Sequence, residues 1–170
     1  TLTIMVGGDE ATLEVARPVL ETLGEKVVLV GGPGAGSVVK LTNQLLVGIH
    51  AAAAAEALVF GVKAGADPRA LLDVIGTSFG ASAMFNRTVP MALNRQFGSA
   101  TDVGILCKDM SLITTLGKEI SVRLLLGSLA EQLLAEAKGL GLANNDIAAL
   151  VKPLEAIAGI EIGPTPDRQP

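Results

Sequence analysis

The chain has 170 residues, of which 49% are hydrophobic and 18% charged, and its formal net charge is −4. This length suffices for one domain with a core of its own. The acidic balance, together with the absence of a basic run carrying aromatic side chains, excludes a nucleic-acid-binding surface. Four Phe and no Trp or Tyr predict a core of small aliphatic side chains, and the single Cys107 indicates a reducing, cytoplasmic location without an internal disulfide.

The first 30 residues predict a strand, a helix and a second strand. Residues 1–6 alternate and favour β structure, Asp9 suits the N-cap of a helix over 10–23 that Gly24 ends, and residues 26–30 form the second strand. Two strands alone do not make a stable sheet. We therefore expect this unit to be the tail of a larger α/β domain.

From residue 37 onward the sequence predicts helices. The first runs from about 37 to 64, and a turn with Asp67 at the N-cap and Pro68 at the first helical position begins the next. The remaining helices are predicted over residues 69–77, 83–94, 103–118, 123–138 and 145–158. The polar, proline-rich tail over 163–170 is predicted to be disordered.

The most apolar stretch, residues 45–60, is predicted to be a buried helix and not a membrane span. It contains His50 and Glu56 and is rich in alanine, which contributes little to membrane insertion. His50 fits a core histidine better than a catalytic one. Because no cluster of His, Cys and carboxylate residues stands at ligand spacing, we predict no metal site. A secretory signal pattern is not expected either.

A glycine-rich turn over residues 31–36 leads into the long helix, and it does not match either phosphate-binding motif. A P-loop has its lysine directly after the last glycine, whereas Lys40 stands four residues after Gly36. The dinucleotide fingerprint has a third glycine where Ser37 or Val39 stands here. We conclude that this turn is not the main site of a nucleotide cofactor.

Two polar groups interrupt the apolar helices. Lys40, Asn43 and Gln44 share one helix face, because residues three and four apart are neighbours. The helix dipole disfavours a positive charge at a helix start, which suits a side chain that exchanges protons, although a solvated lysine fits the same spacing. Lys108 and Asp109 lie within an apolar run and fit either a site or an exposed helix side.

Five segments in register resemble the β-hydroxyacid dehydrogenase family, which holds 3-hydroxyisobutyrate dehydrogenase, tartronate semialdehyde reductase and L-threonate dehydrogenase, with 6-phosphogluconate dehydrogenase more distant. The segments are residues 1–8, 34–44, 54–58, 64–68 and 108–110. The resemblance implies a mainly helical C-terminal domain over residues 33–162, like that of 6-phosphogluconate dehydrogenase. Residues 1–32 would be a remnant of a Rossmann domain. Residues 51–58 favour the threonate and tartronate semialdehyde branches.

The resemblance also implies roles for particular residues. Lys40 would be the general acid/base for hydride transfer between a small 3-hydroxy acid and NAD or NADP. The residues implied in substrate binding are Gly36, Asn43, Gln44 and Phe85, and those implied toward the cofactor are Lys108 and Asp109.

The family's glycine fingerprint and substrate-carboxylate loop do not occur in this sequence. We therefore expect the chain alone to be inactive, with NAD or NADP bound mostly by a domain outside it. The small-residue helices predict a homodimer or homotetramer. A non-catalytic helical oligomerisation module with the same fold is the alternative, and replacing Lys40 distinguishes the two.

Overall fold

A computed structural model of the chain describes residues 2–98 and 100–163. They form two compact units, one ending at Gln44 and the other beginning at Leu45. This division falls inside a helix, whereas the expected limit at residue 32 follows the family resemblance and stays a prediction. The predicted disordered tail over 163–170 lies, apart from Gly163, outside the described residues.

The first unit begins with a strand, a helix and a strand, as predicted. The elements are β1 (Thr3–Gly7), α1 (Glu10–Leu23) and β2 (Lys26–Gly31). The two strands are parallel. Asp9 forms the predicted N-cap, because its Oδ1 accepts a hydrogen bond of 2.8 Å from the backbone N–H of Thr12 and so satisfies one free donor of the first turn.

The longest element is α2 (Ala35–Lys63), a single helix of 29 residues that crosses the division between the units. Its buried positions in the second unit are mostly small, such as Ala51 and Ala54, and the small side chains allow neighbouring helices to approach closely. Length and composition alone would allow α2 to span a membrane. Core helices of globular proteins pass the same test, so this property assigns no location.

Five further α-helices make up most of the second unit: α3 (Pro68–Ile75), α4 (Ala83–Leu93), α5 (Val103–Glu119), α6 (Leu125–Ala137) and α7 (Val151–Ala158). The bounds of α3 to α6 lie within about two residues of the predicted ones, and the elements confirm a mainly helical fold with a short strand–helix–strand portion.

The prediction of one helix over 145–158 is wrong in its first part. Residues Ile147–Leu150 form a 3-10 turn that continues into α7, because the Asp146 carboxylate accepts a hydrogen bond of 3.0 Å from the Ala148 N–H and starts a tighter turn. A π-helical turn over Lys138–Leu142, which was not predicted, follows α6. It contains Gly141 at a φ of 83°, a conformation that glycine adopts easily.

The core of the second unit is built from aliphatic side chains with two phenylalanines. Leu58 of α2, Phe85 and Val89 of α4, and Ala149 of the 3-10 turn are each at most 3% exposed and belong to one buried cluster. Phe97 joins them from the segment after α4. This composition confirms the expectation of a core that is poor in aromatic residues.

Candidate active site

The glycine-rich turn sets the position of the start of α2 against β1. Gly31 and Gly34 have φ angles of 141° and 88°, which other residues rarely adopt. A Cβ on Gly36 would lie 2.5 Å from the Met5 carbonyl oxygen, so only glycine allows the helix to approach the strand this closely. The implied role of Gly36 in substrate binding stays a prediction, since the structure gives it a packing role.

The first turns of α2 present a free lysine beside two amides. Lys40 is exposed, and its ammonium forms no hydrogen bond or ion pair with another described residue. Asn43 is also exposed, and its Nδ2 donates a hydrogen bond of 3.3 Å to Gln44 Oε1. These three side chains lie three and four residues apart on one face of α2. The structure therefore brings together a proton donor and two groups that can orient a small polar molecule.

Lys108 and Asp109 form a second polar pair, on α5 in the second unit. The Lys108 side chain is 70% exposed, that of Asp109 is 11% exposed, and Nζ and Oδ1 are 3.9 Å apart. An exposed ion pair of this kind contributes little to stability. The exposed lysine charge is thus accessible to an approaching anion, and the nearby aspartate does not bury it.

Phe85 belongs to the core and also lines a cleft. It is 3% exposed, and its backbone N–H donates a hydrogen bond of 2.9 Å to the N-cap oxygen of Ser82. The cleft has a volume of about 500 Å³ and includes His50 and Phe79. His50 is exposed, so the expectation of a core histidine is wrong. The His50 side chain instead lies on the side of α2 that lines this cleft. The role of Phe85 toward a substrate stays a prediction.

The best-formed ion pair in the second unit joins Arg87 and Asp146, and sequence reasoning missed it. Arg87 Nη1 and Nη2 donate to the two carboxylate oxygens at 3.0 and 2.6 Å. The N–H groups of Ala100, Thr101 and Ala148 donate to the same carboxylate at 3.0–3.3 Å. Asp146 is fully buried. The pair joins α4, the segment before α5 and the 3-10 turn.

These contacts fix the charge state of Asp146. Burial alone raises the pKa of this carboxyl, but the Arg87 guanidinium and the backbone N–H groups outweigh that effect and hold the pKa below its ordinary value of 3.8. The same pairing raises the pKa of Arg87. An N-cap aspartate before an apolar run is a readable signal in the sequence. Its partner 59 residues earlier is not.

A second buried carboxylate, Glu155, ties the end of the described chain to the end of α4. Arg95 Nη1 donates to Glu155 Oε1 at 2.6 Å and to the Ile162 carbonyl at 2.8 Å. The Ile162 N–H donates to the same Glu155 oxygen at 2.6 Å. Both buried ionic clusters therefore have their hydrogen bonds within the fold and serve its stability. Over residues 2–98 and 100–163, no three His, Cys, Asp or Glu side chains are grouped so as to hold a metal ion.

Comparison with known proteins assigns the chain to a family. Residues 34–154 match the family described as "NAD-binding of NADP-dependent 3-hydroxyisobutyrate dehydrogenase". The 2-(hydroxymethyl)glutarate dehydrogenase of Eubacterium barkeri is 37% identical over 163 residues, and the L-threonate dehydrogenase of Cupriavidus necator is 37% identical over 162 residues. Each alignment covers 95% of this chain and 54% of the relative, so the chain spans about half the length of the curated relatives it matches.

The fold leads to the same assignment. The crystal structure of 3-hydroxyisobutyrate dehydrogenase from Salmonella typhimurium is similar with a TM-score of 0.83 and 33% sequence identity. The superposition covers 89% of this chain and 53% of that one. Sequence and structure together show that the chain belongs to the 3-hydroxyisobutyrate dehydrogenase family.

Proposed function

We propose that this chain supplies the acid/base lysine of an NAD(P)-dependent oxidoreductase that interconverts a small 3-hydroxy acid and its oxo acid. The substrate class is that of threonate, glycerate and tartronate semialdehyde, or 3-hydroxyisobutyrate. The proposal depends on the position of Lys40, which lies on the same face of α2 as Asn43 and Gln44. Its ammonium is exposed and has no partner among the described residues. The relatives named as dehydrogenases support the reaction class.

Each side chain on this face of α2 has a chemical task in the proposal. Lys40 Nζ takes the hydroxyl proton of the substrate during oxidation and returns it during reduction. Asn43 donates and accepts through one amide and so fixes the orientation of the hydroxyl-bearing carbon. Its Nδ2 donates a hydrogen bond of 3.3 Å to Gln44 Oε1, so the two amides lie side by side. A positioned proton-transfer group contributes about 10²–10⁴-fold to a rate.

The chain offers only part of a cofactor site. When bound, NAD or NADP supplies the acceptor or donor of the hydride. The sequence contains no dinucleotide fingerprint. The side chain that suits an anionic part of the cofactor is Lys108, which is 70% exposed and whose Nζ lies 3.9 Å from Asp109 Oδ1. We propose that Lys108 meets an anionic group of the cofactor and that the rest is bound by another domain. The chain alone would then be inactive.

We also propose that the protein forms a homodimer or homotetramer in the cytoplasm. Several large apolar side chains of the second unit are more than half exposed, among them Phe60, Leu129 and Ile157. Contiguous apolar surface of this kind typically marks an interaction site.

The test uses an enzyme that joins this chain to a complete dinucleotide-binding domain. Turnover is measured with NAD or NADP and with L-threonate, tartronate semialdehyde and 3-hydroxyisobutyrate in turn. We expect Lys40→Ala to lower kcat by about 10²–10⁴-fold with an unchanged circular dichroism spectrum. Lys118→Ala, which removes another exposed lysine at the end of α5, is the matched control and should keep full activity.

Two results would contradict the proposal. Full turnover of the Lys40→Ala enzyme would remove the acid/base role and favour the helical oligomerisation module. Turnover by the chain alone would show that it needs no further domain for the cofactor.

A further inference from the structure

Helix α5 begins without a side-chain cap of its own. Asp102 stands at its N-cap position, but the Asp102 side chain makes no capping hydrogen bond. The first two N–H groups of the helix donate to carbonyl groups from another part of the chain instead. Val103 donates to Asn145 and Gly104 to Ala143, each at 2.9 Å. Because the N–H groups at a helix start have no partner within the helix, these two bonds fix where α5 begins.

The Asp146 carboxylate ties the same distant part of the chain to the residues just before α5. Its Oδ2 accepts hydrogen bonds from the N–H groups of Ala100 and Thr101, at 3.3 and 3.1 Å. The backbone adds to this contact, since Ile147 N–H donates to the Thr101 carbonyl at 3.0 Å and Asp102 pairs with Asp146 as an isolated antiparallel bridge. One buried side chain and a short backbone pairing therefore hold the start of α5 together.

Arg87 of α4 sets the orientation of the Asp146 carboxylate. Its Nη1 and Nη2 donate to the two carboxylate oxygens at 3.0 and 2.6 Å. A guanidinium that binds both oxygens fixes the plane of a carboxylate, which a single hydrogen bond does not. The direction in which Asp146 meets the residues before α5 thus depends on Arg87.

The position of Lys108 in turn depends on where α5 begins. Lys108 stands five residues after Val103, the first residue of α5, or about 7.5 Å along the helix axis. Its side chain is 70% exposed, and its ion pair is with Asp109, the next residue of the same helix, at 3.9 Å. A contact within one helix moves with that helix. The place of the Lys108 ammonium in the fold is therefore decided by the backbone of α5.

We infer that Asp146, oriented by Arg87, is a positioning residue for Lys108. It holds the start of α5 and thereby fixes the place from which the Lys108 ammonium meets the cofactor. The inference rests on the proposed role of Lys108 toward an anionic group of NAD or NADP. It assigns to the buried pair a task in cofactor binding in addition to its contribution to stability.

A double-mutant cycle tests whether Asp146 acts through Lys108. The dissociation constants of NAD and NADP are measured by calorimetric titration of the enzyme that joins this chain to a complete dinucleotide-binding domain. Lys108→Ala removes a charge-assisted contact and should raise the dissociation constant of the cofactor that binds about tenfold or more. Asp146→Asn keeps the side-chain size and should raise it about threefold or more. In the Lys108→Ala background, Asp146→Asn should change it less than about twofold, because no lysine remains to be misplaced.

The other buried carboxylate of this unit provides the matched control. Glu155 is also buried and ion-paired, but it accepts its hydrogen bonds from Arg95 and the Ile162 N–H, and neither belongs to α5 or to the segment before it. Glu155→Gln should leave the cofactor dissociation constant unchanged. Should Asp146→Asn fail to fold, Arg87→Lys replaces it in the cycle, because lysine keeps the charge but loses the contact to both oxygens. Its effect should also vanish in the Lys108→Ala background.

Amide hydrogen exchange of the chain alone gives a measurement that needs no cofactor. Asp146→Asn should speed the exchange of the Val103 and Gly104 N–H groups about tenfold relative to Glu155→Gln, because local opening at the start of α5 becomes easier. Both variants neutralise a buried carboxylate, so a general loosening of the fold affects both. A difference confined to the start of α5 reports the local contact.

The outcomes separate this inference from the proposed function. A Lys108→Ala enzyme with an unchanged cofactor dissociation constant would overturn the proposed role of Lys108 and this inference with it. A clear Lys108→Ala effect, together with an Asp146→Asn effect of equal size in both backgrounds, would overturn this inference alone. So would equal exchange at Val103 and Gly104 in the Asp146→Asn and Glu155→Gln chains.

Discussion

The start of α2 and the junction around Asp146 use polar groups in opposite ways. At the start of α2, Lys40 is exposed and has no described partner. At the junction, Asp146 is fully buried and accepts two hydrogen bonds from Arg87 and three from backbone N–H groups. A charge whose bonds are all made within the fold holds elements together. A charge without a partner in the described part of the fold stays accessible from solvent.

The first prediction removes the charged partner of Asp146 at the junction and has the largest effect. Arg87→Ala leaves the buried Asp146 carboxylate without its charged partner, so the free energy of unfolding should fall by about 3–5 kcal/mol. Urea denaturation measures it. Arg69→Ala removes an exposed arginine of α3 for which the structure shows no ion pair with a described residue, and it should change the free energy of unfolding by less than about 0.5 kcal/mol. Equal losses in the two variants would mean that the buried pair does not hold the junction.

The second prediction concerns the close packing that positions the start of α2. Gly36→Ala places a Cβ 2.5 Å from the Met5 carbonyl oxygen, and because neither backbone segment can yield without cost, stability should fall by about 1–3 kcal/mol. Gly8→Ala is the control, since a Cβ there meets no described atom within 4 Å. Thermal unfolding of both variants decides it. A Gly36→Ala protein as stable as the control would show that α2 does not need this close approach.

The third prediction has the smallest effect and uses acid to weaken the interactions of the buried Asp146 carboxylate. The pKa of Asp146 lies below 3.8 in the folded chain, so in acid the unfolded state binds more protons than the folded state. The stability that the lowered pKa contributes is complete above the ordinary pKa and is lost as the pH falls through the folded value. The advantage of the original chain over Asp146→Asn should therefore shrink below about pH 4.

The comparison of the original chain with Asp146→Asn contains its own control for this pH effect. Asp9 and Glu14 also have lowered pKa values, but both proteins share them, so their contributions cancel in the difference. A difference in stability that stays constant from neutral pH into acid would show that the Asp146 carboxyl is not the group that titrates.

The sequence predicted what depends on neighbours along the chain. The ends of α2 and α5 and the Asp9 cap followed from periodicity and capping, which act over a few residues. The face shared by Lys40 and Asn43 followed from helical spacing in the same way. These features needed no knowledge of the tertiary structure.

What the sequence could not predict depends on partners far along the chain. The Arg87–Asp146 pair joins residues 59 positions apart, and periodicity carries no information at that range. The exposure of His50 depends on which elements pack against α2, and its alanine neighbours gave the wrong expectation. The 3-10 turn at Ile147–Leu150 arises because the side chain of Asp146 is held by Arg87 and caps the turn, so this local error also has a distant cause.

Chemical rescue is the most direct test of the central claim, that Lys40 transfers the substrate proton. In the enzyme joined to a complete dinucleotide-binding domain, Lys40→Ala activity is measured with increasing concentrations of methylamine or ethylamine, with an uncharged alcohol of similar size as the control. The account predicts that the amines, and not the alcohol, restore turnover in proportion to their concentration, because a free amine takes the place of the missing Nζ. Lys40→Ala activity that amines do not raise, or that equals the original activity without them, would contradict it.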